Sequence, residues 1–212
     1  MKLIPTKTPR LLKTWYQGYR WDFYETNEKA IYLTFDDGPI PDVTEFVLDQ
    51  LKKFNALATF FCIGDNIKKH PNIFNKVVSD GHAIGNHTMN HLKAWKNSQE
   101  QYLNNIIECD REISKHIDVH HKIFRPPYGQ ISQSKLKATK ELGYEIILWD
   151  ILAKDWSKKT TPVECHHNVI NYTKNGSIVV LHDSIKASEN LKYSLPKILS
   201  HFTKKGYVFN KI

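Results

Sequence analysis

A parallel α/β sheet or barrel is the fold class that this sequence predicts. Short apolar runs alternate with amphipathic stretches along the whole chain. Capping residues, prolines and glycines fall at the seams between them. With 212 residues, 41% hydrophobic and 12% aromatic, the chain can fill one α/β core and is too short for two comfortable ones.

Residues 30–35 read as the first strand. Asp42 with Glu45 three residues on has capping-box spacing and opens a helix through Phe54. Residues 58–63 form the next strand, and Pro71 suits the first turn of a helix that Gly81 ends. Residues 82–85 are a short strand, after which Ser98 with Gln101 opens a long helix to about Ile117. Residues 122–125 are extended, as chain before proline prefers. A helix over 134–142 is closed by Gly143, and 145–149 form a strand. Thr161-Pro162 starts a helix ending near Gly176, and 177–181 are a strand. A last helix from about Pro196 leads past Gly206 into a seventh strand at 207–209. Residues 1–28 hold Trp15, Tyr16, Tyr19, Trp21, Phe23 and Tyr24, an aromatic-rich arm expected to pack on the body formed by 29–212.

Several classes are excluded. Charged residues at 25% match a globular domain rather than a disordered chain. The apolar runs at 146–149 and 178–181 fall far short of the about 20 residues a membrane span needs. The segment Met1-Lys2-Leu3-Ile4-Pro5 has no apolar h-region, so a cytoplasmic location is expected. Cys62, Cys109 and Cys165 are odd in number and lack C-x-x-C spacing, which argues for a reducing compartment and against a disulfide framework. The net charge of +8 comes from lysines spread along the chain, so it reads as solvated surface. No nucleic-acid partner is expected, and a monomer is.

In parallel α/β folds the working face lies at the C-terminal strand ends. The first strand is followed by Thr34-Phe35-Asp36-Asp37-Gly38-Pro39 and the third by His87-Thr88-Met89-Asn90-His91. The fourth ends in Arg125-Pro126-Pro127-Tyr128-Gly129, the fifth in Trp149-Asp150 and then Asp155-Trp156, and the sixth in Leu181-His182-Asp183. Adjacent carboxylates such as Asp36 and Asp37 repel unless a cation or an arginine stands by, and Arg125 is a candidate. An H-x-x-x-H pair on a helical turn presents two imidazoles to one metal. A second such pair, His116 and His120, has no carboxylate at a strand end beside it and reads as surface. His182 behind its apolar run reads as a core histidine or a catalytic one. Taken together, one Asp and two His form a mononuclear site with a free carboxylate and a free histidine nearby. Three ligands with an open position describe a catalytic zinc rather than a structural one.

The five segments, in this order, resemble the motifs of the polysaccharide deacetylase family, the nodulation-protein deacetylase homology domain also called carbohydrate esterase family 4. The resemblance spans about residues 29–209 and implies a distorted (β/α) barrel with about seven parallel strands. It implies a metal-dependent hydrolase that takes acetyl groups from N-acetylglucosamine polymers or O-acetyl groups from xylan. By the same resemblance Asp37, His87 and His91 are metal ligands, Asp36 is the general base and Arg125 its electrostatic partner. His182 is the general acid, oriented by Asp155, with Asp150 as a rival partner. Tyr128 offers a backbone N–H to the oxyanion, and Trp156 and Val180 border the acetyl pocket. Zinc is the expected metal, with cobalt and nickel also suited to such donors. An N-deacetylase acting on an acetylated carbohydrate is the leading expectation. An O-acetyl esterase and a non-catalytic glycan- or polyanion-binding module are the alternatives.

Overall fold

The computed structural model describes residues 5–212. Its apolar runs become eight short strands: β1 (Ala30–Asp36), β2 (Thr59–Cys62), β3 (Ala83–Asn86), β4 (Ile123–Phe124), β5 (Glu145–Ile146), β6 (Ile151–Leu152), β7 (Ile178–His182) and β8 (Val208–Phe209). Helix α1 (Arg10–Trp15) precedes them. The connecting helices are α2 (Val43–Lys53), α3 (Gly64–Lys69), α4 (Pro71–Ser79), α5 (Gln99–Ile113), α6 (Gln133–Glu141), α7 (Pro162–Ile170) and α8 (Ser188–Lys204).

The strands pair in parallel in the order β5-β4-β3-β2-β1-β7-β6, and β8 lies beside the start of β1. This curled sheet with flanking helices is the distorted barrel the motifs imply. β1 is central because nearly every residue in it is buried, on both faces, as a strand covered from two sides must be. Outside the sheet, Val47 and Leu51 of α2 and Leu195, Ile198 and Leu199 of α8 join Leu33, Phe35 and Phe60 in the main core. Inside the curl, Phe61, Ile123, Ile147 and Ile178 form a smaller cluster, with the Arg125 guanidinium 4.1 Å from the Phe61 ring centroid.

Four expectations need correction. The single strand at 145–149 is two: β5 pairs with β4 at one end of the sheet and β6 with β7 at the other. Residues 147–150 cross the gap between them, buried almost throughout, so the apolar run reads as one strand in sequence. The last helix starts at Ser188 and carries Pro196 inside it. The burial of Leu191, Leu195, Ile198, Leu199 and Phe202 along one stripe outweighs the lost backbone hydrogen bond. Helix α7 stops at Ile170, well before the Gly176 turn. The segment after His87 is irregular rather than helical, with left-handed Thr88 (φ 69°) and His91 (φ 58°).

The arm joins this architecture at the open seam. Thr8 donates its backbone N–H to the Asp150 carbonyl, Arg20 to that of Ile146 and Phe23 to that of Gly176. Lys13 and the Tyr24 hydroxyl both donate to the buried Asp150 carboxylate, at 2.6 and 2.5 Å. By contrast no residue of α1 is fully buried, and Trp15 stands 74% exposed. Among the described residues no helix is long and apolar enough to cross a membrane.

Candidate active site

The ends of β1, β3, β4, β6 and β7 at the C-terminal face each deliver a part of the site. Asp36 is the last residue of β1, and Asp37 turns out of the strand with φ 84°. The side chain of Asn66 donates to the Asp37 carbonyl at 2.7 Å, and the Gly38 N–H donates to the buried Asp183 carboxyl at 3.0 Å. A Cβ on Gly38 would lie 1.9 Å from Asp183 Oδ2, so glycine is required by the close approach. His87 follows β3, its backbone N–H donating to the Cys62 carbonyl. The Asn86 side chain accepts from the Thr88 N–H and bends the chain so that His91 returns beside His87, ring centroids 5.1 Å apart.

Asp37 Oδ1 lies 3.4 Å from His91 Nε2 and 3.8 Å from His87 Nε2. That oxygen is buried and has no hydrogen-bond partner among the described residues. Burial lowers the proton affinity of His87, against the pull of Asp36 and Asp37, and burial together with His87 brings His91 down to about 4. Both rings are therefore neutral at pH 7. His87 Nδ1 stands 2.7 Å from the Arg125 carbonyl, a bond that puts its proton there and leaves Nε2 as a free donor pair. One donor atom from each of the three residues lies within 4.8 Å of the others. An unpartnered carboxylate oxygen facing two neutral imidazoles is chemically suited to a divalent metal.

Two prepared groups flank this set. Arg125 is fully buried and holds Asp36 Oδ1 at 2.6 Å, while it also donates to Thr34 Oγ1 and to the carbonyls of Ile147 and Leu148. Burial pushes the Asp36 carboxyl up, but Arg125, with His87 and His182, outweighs it and holds the group below the ordinary carboxylate range. On the other side Asp155 Oδ1 sits 2.8 Å from His182 Nδ1, and Asp155 Oδ2 accepts the His182 backbone N–H. Burial alone pushes His182 down, yet Asp155, with Asp37 and Asp36, raises it to about 9. Asp150, the rival, is occupied by Lys13, Tyr24 and Ser177.

A cleft of about 580 Å³ opens over these groups. Asp36, Asp37, His87, His91, Tyr128, Trp156, Val180 and His182 line it, and Arg125 and Asp155 stand directly behind. His116 lies elsewhere, bonded to Asn75, and His120 is exposed. Sequence reading placed Trp149 and Asp183 at strand ends without giving them a role, and it missed Asn66 and Trp95. Gly129 (φ 65°) packs its Cα against the Trp149 ring, so closely that an added Cβ would meet it at 2.4 Å. Only the adjacency of Asp183 to His182 was a usable signal.

The family model described as polysaccharide deacetylase matches residues 23–147. A peptidoglycan-N-acetylglucosamine deacetylase of Bacillus cereus is 40% identical over 185 residues, 86% of this chain and 86% of that protein. A chitooligosaccharide deacetylase of Azorhizobium caulinodans is 35% identical over 77% of this chain and 78% of that protein. The crystal structure of the Bc1960 peptidoglycan N-acetylglucosamine deacetylase superposes with a TM-score of 0.87 at 32% identity, covering 97% of this chain and 95% of that one. With its motifs, curled sheet and relatives in agreement, the chain belongs to the polysaccharide deacetylase family of hydrolases.

Proposed function

We propose that this enzyme removes N-acetyl groups from an N-acetylglucosamine-containing glycan, peptidoglycan- or chitin-like. The observation that carries the reading is the opposite preparation of two groups across one cleft. Asp36 is kept ionised by Arg125, and His182 is kept protonated by Asp155. Amide hydrolysis needs both, a base for the proton of the attacking water and an acid for the departing amine.

Asp37, His87 and His91 would hold the metal, which we assign as zinc, with cobalt or nickel able to replace it. When bound, such a metal supplies Lewis acidity, polarising the acetyl carbonyl and acidifying water. Asp36, with Oδ1 engaged by Arg125, takes the water proton on Oδ2. The Tyr128 backbone N–H, presented by a left-handed turn (φ 62°), donates to the oxygen of the tetrahedral centre. His182, its Nδ1 held by Asp155, passes its Nε2 proton to the amine nitrogen as the carbon–nitrogen bond breaks. Acetate and a free amine leave. Trp156, its ring 4.8 Å from that of His182, and the buried Val180 border the acetyl methyl.

The names of the relatives support the N-acetyl reading. Acetate release from N-acetylglucosamine oligomers of defined length, set beside acetylated xylan, tests it. Efficient release from the oligomers is expected; release from xylan alone would overturn the assignment in favour of an O-acetyl esterase.

A further inference from the structure

The cleft runs on beyond the reacting groups, along a wall of aromatic rings. The Tyr128 ring lies 4.7 Å from the His91 ring, and Trp95 follows 5.7 Å from Tyr128 at an interplanar angle of 63°. Trp95 is 50% exposed and Tyr128 49%, and both line the cleft. Isolated exposed apolar residues are ordinary, but two large rings in edge-to-face contact at the lip of a polar site are not. Their support is fixed. Trp95 sits in the short 3-10 turn Ala94–Lys96, whose Ala94 is buried in a core with Tyr102 and Phe124. The Lys93 carbonyl accepts from both the Lys96 N–H and the Asn97 side chain, and the Lys135 ammonium donates to the Asn97 carbonyl. Lys93 itself places its ammonium 5.0 Å from the Tyr128 ring centroid.

We propose that Trp95, with Tyr128 beside it, is a stacking platform for a pyranose ring next to the one being deacetylated, so that Trp95 sets a preference for oligomers over single sugars. The inference rests on the glycan reading above and deepens it. A pyranose has one face of axial C–H groups, apolar and slightly positive, which fits the electron-rich face of an indole; its rim of hydroxyls finds water and the Lys93 ammonium. The platform is rigid and already desolvated on its rear side, so stacking requires little ordering. A sugar held there adds binding remote from the scissile bond. Trp95 meets the site through the Tyr128 ring, not its backbone N–H, so its contribution falls mainly on KM.

The test compares wild type with W95A and W95F on N-acetylglucosamine oligomers from one to five sugars, measuring kcat and KM. Trp95 is half exposed, so both variants are expected to fold, which circular dichroism checks. W95A should raise KM about ten-fold on oligomers of three or more sugars, leave kcat nearly unchanged and leave single-sugar activity at the wild-type level, with W95F restoring most of the loss. Equal KM values for W95A and wild type at every length, or the same loss at one sugar as at five, would overturn the platform. A binding arm separates this inference from the deacetylase reading. Fully deacetylated oligomers, which cannot react, are titrated into wild type and W95A by calorimetry. Binding weakened in W95A supports the platform even if no acetate is released, and identical binding refutes it.

Discussion

Replacing Asp155 by asparagine tests the charge that prepares the acid. Asp155 is fully buried and meets His182 Nδ1 at 2.8 Å, and with it His182 rises from an ordinary 6.5 to about 9. Burial by itself lowers a histidine while Asp37 and Asp36 still raise it, so without the Asp155 carboxylate, its strongest raising partner, the value falls back toward the ordinary 6.5. The difference corresponds to about 3 kcal/mol at roughly 1.4 kcal/mol per pH unit. A raised histidine keeps its proton, and the activity that needs it, below its folded value, and both are lost as pH rises through that value. Wild-type kcat should thus hold through neutrality and fall on an alkaline limb at or below about pH 9, since a cation at Asp37 offsets part of that carboxylate's pull. In D155N the limb should move down toward pH 6.5. At pH 8 the protonated fraction then drops from about nine-tenths to a few hundredths, a loss of roughly 30-fold before any misorientation. The assay is acetate release from an N-acetylglucosamine oligomer between pH 5 and pH 10, with melting temperature followed in parallel because Asp155 also accepts two backbone N–H groups. A folded D155N enzyme with the wild-type alkaline limb would refute the reasoning.

The remaining predictions concern the other walls of the site. Asp36→Asn should lower kcat by about 10²-fold or more with metal retained, whereas Asp37→Asn, one residue away, should lose metal, as elemental analysis of both proteins would show. His87→Ala should also fall well below full metal stoichiometry; full occupancy would exclude it from the ligand set. Arg125→Ala leaves Asp36 buried without its partner and should cost about 3–5 kcal/mol of stability in denaturant titrations, together with most of the activity. Gly38→Ala must displace the Asp183 carboxyl and with it the turn carrying Asp36 and Asp37, so activity and melting temperature should fall together.

The candidate site was more legible in the sequence than parts of the fold. Asp36, Asp37, His87, His91, Arg125, Asp155 and His182 each stand at or just past the end of an apolar run, and a parallel sheet sends all such ends to one face. What pattern could not convey is tertiary approach. Asp183 anchors Gly38 across nearly 150 positions of sequence, and Trp149 fills the space left by Gly129, neither marked by local spacing. The apolar run around 146–149 reads as one buried strand, yet its ends belong to opposite edges of the sheet; burial on all sides erases the alternation that would separate strand from crossing. The H-x-x-x-H spacing found two ligand candidates through the wrong local geometry: left-handed turns at Thr88 and His91, not a helical face, bring the rings together.

The placement of β1 has a consequence for how the molecule is made. Among the described strands β1 is the first to be synthesised, yet β7 and β8, which pair with it, are the last two, and residues 30–36 wait for residues 178–209. During that interval this central strand has β2 on one edge and open amide and carbonyl groups on the other, the kind of template on which neighbouring chains pair. A nascent or prematurely ended chain lacking 178–212 is consequently the species that a chaperone would have to shield, and β7 acts as the clasp that ends the exposure.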